Sequence, residues 1–331
     1  MRSSGVSRGA SRVSAAVSGD ASAAAPPRPL ADRLAERVAE RHSQIVLGID
    51  PDPARLWPAA HREAGDDQPP LVRAGRAVAA HCRLLLEAAG AECVAVKFQV
   101  ACFERLGAPG WAALTEAIGE ARARGLFVIA DGKRGDIDIS ARAYGQAFFG
   151  GGESPFGALP GLGVDWLTAN PLLGRDSLEA LLGEARAGAG GLFVLVRTSN
   201  PGAADVQDLA LASGGTLSGA LASLVSELGR AGTGSSGLSD VGAVTGATAP
   251  EHLERLREAM GAAVLLLPGV GAQGGTGEGL DAAFVPGPAG GLVSASRAIV
   301  HAAQARGGGD PAAAARAEAA RLRDLVWNLY A

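Results

Sequence analysis

The chain has 331 residues, 47% hydrophobic and 19% charged, with a formal net charge of -4 at pH 7. That balance supports one large globular core and excludes a polybasic nucleic-acid or membrane-surface protein. No apolar run nears the ~20 residues needed to cross a bilayer. Cys82, Cys93 and Cys102 lack CxxC or His-partnered zinc spacing, so a reducing, cytoplasmic setting without disulfides or metal is expected.

Residues 1–28 are rich in Ser, Ala and Arg, and Asp20 is their only acid. They cannot build a core and read as a disordered extension ahead of a single domain at 29–331. The composition also suits a transit peptide, but the segment has no apolar stretch of the secretory type.

From residue 30 onward short apolar runs alternate with amphipathic stretches. The runs are IVLGID (45–50), CVAVKFQ (93–99), LFVIAD (126–131), VDWLTA (164–169), LFVLVR (192–197), VGAVTG (241–246), AVLLLP (263–268) and GLVSAS (291–296). Each reads as a parallel strand buried on both faces, with helices such as 71–90 and 110–125 between them. Eight such units predict an α/β fold, a closed (β/α)8 TIM barrel, with a doubly wound open sheet as the alternative. The stretches 62–70 and 230–240 read as flexible surface loops.

In a (β/α)8 barrel the chemistry lies at the C-terminal ends of the strands. The polar residues there are Asp50, Lys97, Asp131, Lys133, Asn170, Ser199 and Arg297. Of 30 lysines and arginines only these two, Lys97 and Lys133, are lysines. Lysine is a compact point charge able to deliver a proton, which arginine is not. Asp131-Gly-Lys133-Arg-Gly-Asp136 places a carboxylate and an amine two residues apart on one side of a strand end. Neighbouring carboxylates favour the ammonium form, suiting Lys133 to general acid work rather than Schiff-base attack. The bland reading is a solvated turn of mixed charges. Lys97 lies in an apolar strand and must be paired or reach solvent; Asp50 or Asp131 would pair it.

PGVGAQGG (268–275) matches GxGxxG, but it follows the seventh strand rather than opening a first βαβ unit. It reads as a phosphate loop, with Gln273 as a donor and Arg297 after the eighth strand as a clamp. Tight turns alone would also explain the glycines. The histidines at 42, 61, 81, 252 and 301 lack metal spacing and are expected at the surface. The tryptophans read as packing residues, and no GxSxG elbow is present.

Over residues 43–330 the chain resembles orotidine 5'-phosphate decarboxylase in its longer bacterial branch. The resemblance rests on LGIDPDP, VAVKFQVACFE, IADGKRGDI, TANPLLG, VRTSNPG, VTGATAP and PGVGAQGG. It implies a cofactor-free decarboxylation of orotidine 5'-phosphate to UMP by a homodimer. By that resemblance Lys133 protonates C6, Asp131 lies near the departing carboxylate, and Lys97 and Asp50 hold ribose hydroxyls. Asp136 would reach the site from the neighbouring subunit. Ser140 would contact the ribose, Ser199 the pyrimidine, and Gln273 with Arg297 the phosphate. Phe98 stands where the branch commonly has proline, and Gly132 where alanine is common; the former would alter the local backbone. A magnesium-dependent sugar-phosphate enzyme sharing the DxKxxD element, a non-catalytic phosphate-binding barrel and a Schiff-base aldolase are the competing assignments.

Overall fold

The computed structural model describes residues 28–246, 250–268 and 280–329. The N-terminal extension, apart from Arg28, and Gln273 with its loop therefore lie outside the described residues. In chain order the strands are β1 (Ile45–Ile49), β2 (Ala95–Gln99), β3 (Phe127–Arg134), β4 (Gly152–Ser154), β5 (Gly157–Leu159), β6 (Trp166–Ala169), β7 (Gly191–Arg197), β8 (Val241–Thr245), β9 (Leu265–Pro268) and β10 (Gly291–Ala295). All but β4 and β5 close into one parallel barrel, ordered β1-β10-β9-β8-β7-β6-β3-β2. Each of the eight apolar runs supplies one barrel strand, and closure excludes the open sheet.

Alternation along the strands divides the core in two. Val46, Ala95, Ile129, Trp166, Phe193, Val244 and Leu266 belong to one cluster, inside the barrel. Their chain neighbours Leu47, Val96, Val128, Leu167, Val194 and Leu265 belong to the other, against the helices. Both faces are buried, so the runs are continuously apolar rather than alternating.

The helix Leu30–Arg41 closes one end of the barrel. Leu30, Leu34 and Val38 repeat every four residues and join the inner cluster. On the same helix Arg33, Arg37 and Arg41 donate to the carbonyls of Ala189, Gly125 and Gly90, just ahead of β7, β3 and β2. The plug therefore sits at the N-terminal ends of the strands, opposite the expected chemistry.

The segment 230–240 is not the flexible loop expected from its glycines and serines. Asp32 of the plug accepts from the backbone N–H of Ser235 at 3.0 Å and of Ser236 at 2.8 Å, and from the Ser235 hydroxyl at 2.9 Å. Asp240 receives Arg186 through two bonds of 2.7 and 3.0 Å. A carboxylate from a distant helix satisfies the N–H groups that composition alone assigns to water. Between β3 and β6 the chain also forms the hairpin β4–β5, in which Glu153 pairs antiparallel with Ala158.

His81 also departs from expectation, being 2% exposed rather than at the surface. Burial holds its pKa down to about 4, and the neutral Nδ1 accepts from the Trp57 N–H at 3.2 Å. Phe98 leaves the backbone undisturbed. It packs edge-on against Phe103 at 6.0 Å, and β2 pairs continuously with β1 and β3 around it. At Gly132 an added Cβ would meet Leu167 at 3.4 Å, an ordinary contact, so alanine would fit there.

Burial alone would raise the Asp32 pKa, but the Ser236 and Ser235 donors bring it down to about 2. A lowered carboxylate pKa stabilises above the unfolded value and loses that contribution as pH falls through the folded one. Asp32→Ala is therefore expected to cost about 1–3 kcal/mol in urea unfolding at pH 7. The gap from the parent should narrow between about pH 4 and pH 2.

Candidate active site at the barrel mouth

Lys97, Asp131 and Thr168 continue the inward-facing rows of Ala95, Ile129 and Trp166, two residues nearer the C-terminal end of each strand. The interior thus changes from apolar to charged in a single step along the strands. Asp131 is the centre of this layer. Its Oδ2 accepts from Lys97 Nζ at 2.9 Å, and its Oδ1 accepts from Lys133 Nζ at 2.6 Å and from the Thr168 hydroxyl at 3.0 Å. Lys97 lies 3.8 Å from Asp50, extending the chain of alternating charges to four residues.

Burial alone would raise the Asp131 pKa, but the two ammonium groups and the bonds they donate bring it down to about 2. For Lys97 burial works toward the neutral amine; Asp131 and Asp50 outweigh it and raise the pKa. Both side chains are only 10% exposed, whereas Lys133 is 46% exposed. The inner pair is locked and the outer ammonium faces the opening.

Local backbone geometry brings Lys133 back over Asp131. The β3–β6 register shifts between Ala130 and Arg134, so residues 131–133 leave the ladder as a bulge. Lys133 has φ 48°, a left-handed conformation uncommon outside glycine, and its N–H donates to Thr168 Oγ1 at 2.8 Å. Behind it Arg134 pairs with Glu104 and lies over the rings of Tyr144 and Phe148 at 5.2 and 5.7 Å.

Asp50 is set by its neighbour across the barrel seam. The Ser296 hydroxyl donates to its Oδ2 at 2.7 Å. A Cβ on Gly48 would come within 2.7 Å of the Ser296 Cβ, so the glycine permits this approach. A second tie joins the same segments, from the Trp57 indole N–H to the Val300 carbonyl at 3.0 Å. Val300 ends the short helix opened by Arg297.

A cavity of about 290 Å³ lies over this layer, lined by Lys97, Asp131, Lys133, Thr168, Ser199 and Pro268 among others. Ser199 is presented by a braced turn: Arg197 pairs with Asp208 at 2.8 Å, and the Thr198 N–H donates to Gln207 Oε1 at 2.7 Å. A larger hollow of about 490 Å³, beside His252 and Arg255, contains neither lysine. The smaller cavity is the one that both lysines and Asp131 line.

The chain thus brings together Asp50, Lys97, Asp131, Lys133 and Ser199. It does not bring in Asp136, whose carboxylate accepts from the Ile137 N–H at 2.9 Å and forms no ion pair among the described residues. Ser140 is exposed on the helix Asp138–Phe149, and Arg297 is exposed without a side-chain partner among the described residues. Thr168, Ser296 and Gln207 were missed from sequence. Thr168 lies two residues beyond Trp166 on an inward row that only the closed barrel reveals.

Removing Asp131 would leave two ammonium groups facing each other, one of them buried. Asp131→Ala is expected to lower stability by about 3 kcal/mol or more in urea unfolding, and adding Lys97→Met should restore most of the loss.

The model of the orotidine 5'-phosphate decarboxylase / HUMPS family matches residues 43–317. An orotidine 5'-phosphate decarboxylase of Rhodopirellula baltica is 45% identical over 224 residues, covering 67% of this chain and 72% of that protein. One from Deinococcus radiodurans is 43% identical over 241 residues, covering 72% and 81%. The solved Leishmania donovani OMP decarboxylase superposes with a TM-score of 0.65 at 29% identity, covering 91% of this chain and 99% of that one.

Proposed function

The chain belongs to the orotidine 5'-phosphate decarboxylase family, and from that premise we propose how its barrel mouth performs the reaction. The enzyme converts orotidine 5'-phosphate to UMP and carbon dioxide, the last step of UMP synthesis. In our reading the bond between C6 and the carboxylate breaks, leaving its electron pair on C6. The Lys133 ammonium donates the proton that forms the new C–H bond, and the neutral amine recovers its proton from water. The observation that carries this assignment is the 2.6 Å ion pair from Lys133 Nζ to Asp131, itself anchored by Lys97 at 2.9 Å. An ammonium already held in place by Asp131 stabilises the developing carbanion without reorganising during the step.

The remaining roles are those that the family resemblance implies. Asp131 lies beside the departing carboxylate, and Lys97 with Asp50 holds the ribose hydroxyls. Ser199 meets the pyrimidine. Arg297, from the end of β10, and Gln273 take the phosphate, whose binding energy helps position the distant reacting carbon. Both Asp131 oxygens already receive protein donors, which favours this metal-free chemistry over a magnesium-dependent sugar-phosphate reaction.

We assign Asp136 and Ser140 to the site of a second subunit in a homodimer. Asp136 stands apart from the network of its own chain, and large apolar side chains follow it uncovered: Ile137 is 50% exposed, Ile139 83% and Leu172 79%. The loops carrying them adjoin, since the Asn170 N–H donates to the Arg134 carbonyl at 2.7 Å. No described helix is long and apolar enough to cross a membrane. Burial pushes the Cys93 thiol up to about 12, which makes it unreactive.

Purified protein should form UMP from orotidine 5'-phosphate with chelator present, and Lys133→Ala should lose about 10²–10⁴-fold in turnover. Turnover of a sugar phosphate, only with magnesium, would transfer the chain to the other branch of its family. If the site is shared, mixing inactive Lys133→Ala and Asp136→Ala subunits should restore activity. One of the two sites in each mixed dimer then contains both native residues. Absence of complementation despite subunit exchange would place Asp136 in its own chain's site.

A further inference from the structure

We propose that Thr168 is a positioning residue for proton transfer, its single hydroxyl holding both the bulged backbone of Lys133 and the carboxylate on which the Lys133 ammonium rests. The inference rests on Lys133 being the proton donor.

The contacts form a closed ring. Lys133 N–H donates to Thr168 Oγ1 at 2.8 Å, Thr168 donates to Asp131 Oδ1 at 3.0 Å, and the same Oδ1 accepts from Lys133 Nζ at 2.6 Å. One lysine is therefore gripped at its backbone and at its side-chain terminus by the same Thr–Asp pair. The hydroxyl has one proton. Because its oxygen accepts from Lys133, that proton is directed to Asp131, and the ring has a single sense.

This grip acts where the backbone is least able to hold itself. Between Ala130 and Arg134 the ladder from β3 to β6 is interrupted, and Lys133 adopts φ 48°. A non-glycine residue in that region persists only when its surroundings over-determine it. The Thr168 hydroxyl replaces the lost ladder partner of Lys133. Thr168 is itself 1% exposed and paired through β6 to Phe193 of β7, and its β-branched side chain has little χ1 freedom. The oxygen is thus a rigid reference point tied to the neighbouring strand.

Packing alone would be served by valine, which fills the same space. A buried hydroxyl is unfavourable unless its hydrogen bonds are used, and here both are used on the reacting pair. Without them the Lys133 N–H is left unsatisfied, the bulge can relax toward ordinary extended geometry, and the ammonium moves away from C6. Small displacements of a proton donor reduce turnover more than they reduce ground-state binding.

The experiment compares the parent with Thr168→Val, Thr168→Ser and Lys133→Ala, measuring kcat and KM for orotidine 5'-phosphate, UMP affinity by calorimetry, and melting temperature. Thr168→Val is expected to lose about 10–100-fold in kcat while UMP affinity stays within about threefold. Thr168→Ser, which keeps the donor and acceptor, should recover kcat to within about fivefold. Should Thr168→Val fail to fold, Thr168→Ala removes the same hydroxyl with a smaller side chain and is read by the same criteria. Parent-like kcat in the valine or alanine variant, or equal losses in kcat and UMP affinity, overturns the positioning role. Parent-like kcat in Lys133→Ala instead overturns the assignment of the proton donor.

Discussion

A buried carboxylate that two amines must share organises this protein. Asp131 is 8% exposed, and an isolated anion there would be several kcal/mol unfavourable. Lys97 neutralises one oxygen and Lys133 the other, with Thr168 as a third donor. Lys97 is likewise tenable in its apolar strand only because Asp131 and Asp50 flank it. The four charges sum to zero, and each is specified by the next. The outermost amine is the exception: Lys133 has Asp131 on one side and the open cavity on the other. That asymmetry leaves one ammonium of the charge chain facing the space where a substrate would bind.

The barrel makes such an arrangement possible by separating its two ends. Toward the N-terminal ends of the strands the interior is sealed by the apolar face of the helix Leu30–Arg41, with its arginines fastened to carbonyls that enter three strands. Toward the C-terminal ends the same inward rows become Lys97, Asp131 and Thr168. Rigid β-ladders hold these side chains on separate strands at hydrogen-bond distance, which loops would do less accurately. Where the ladder does break, at residues 131–133, a hydroxyl from β6 takes over its role. The plug and the Asp32 anchor supply stability at the end where no chemistry occurs.

Much of this was legible in the chain. The eight apolar runs became the eight barrel strands because burial on both faces leaves a continuous signature. Lys97 and Lys133 stood out because arginine serves nearly every other position that needs a positive charge. Other features were not legible. His81 looked like an ordinary surface histidine, yet it is a neutral acceptor for the Trp57 N–H. The segment 230–240 looked mobile because glycine and serine are common in solvated loops; its partner, Asp32, lies about two hundred residues earlier. Thr168 looked like any β-branched residue in a strand.

By itself the sequence determined the order of the elements and singled out Lys97, Asp131 and Lys133 as a charged set at strand ends. These are local properties, written in periodicity and in the chemistry of single side chains. Only the tertiary structure decided that Lys133 adopts a left-handed bulge, that Thr168 from β6 closes a ring with Asp131, and that Ser296 reaches Asp50 past Gly48. It likewise decided that Asp136, five residues after Asp131 and just beyond the end of β3, stays out of the network of its own chain. Each of these depends on which strand lies beside which and in what register. Barrel closure sets that register through contacts between residues far apart in the chain.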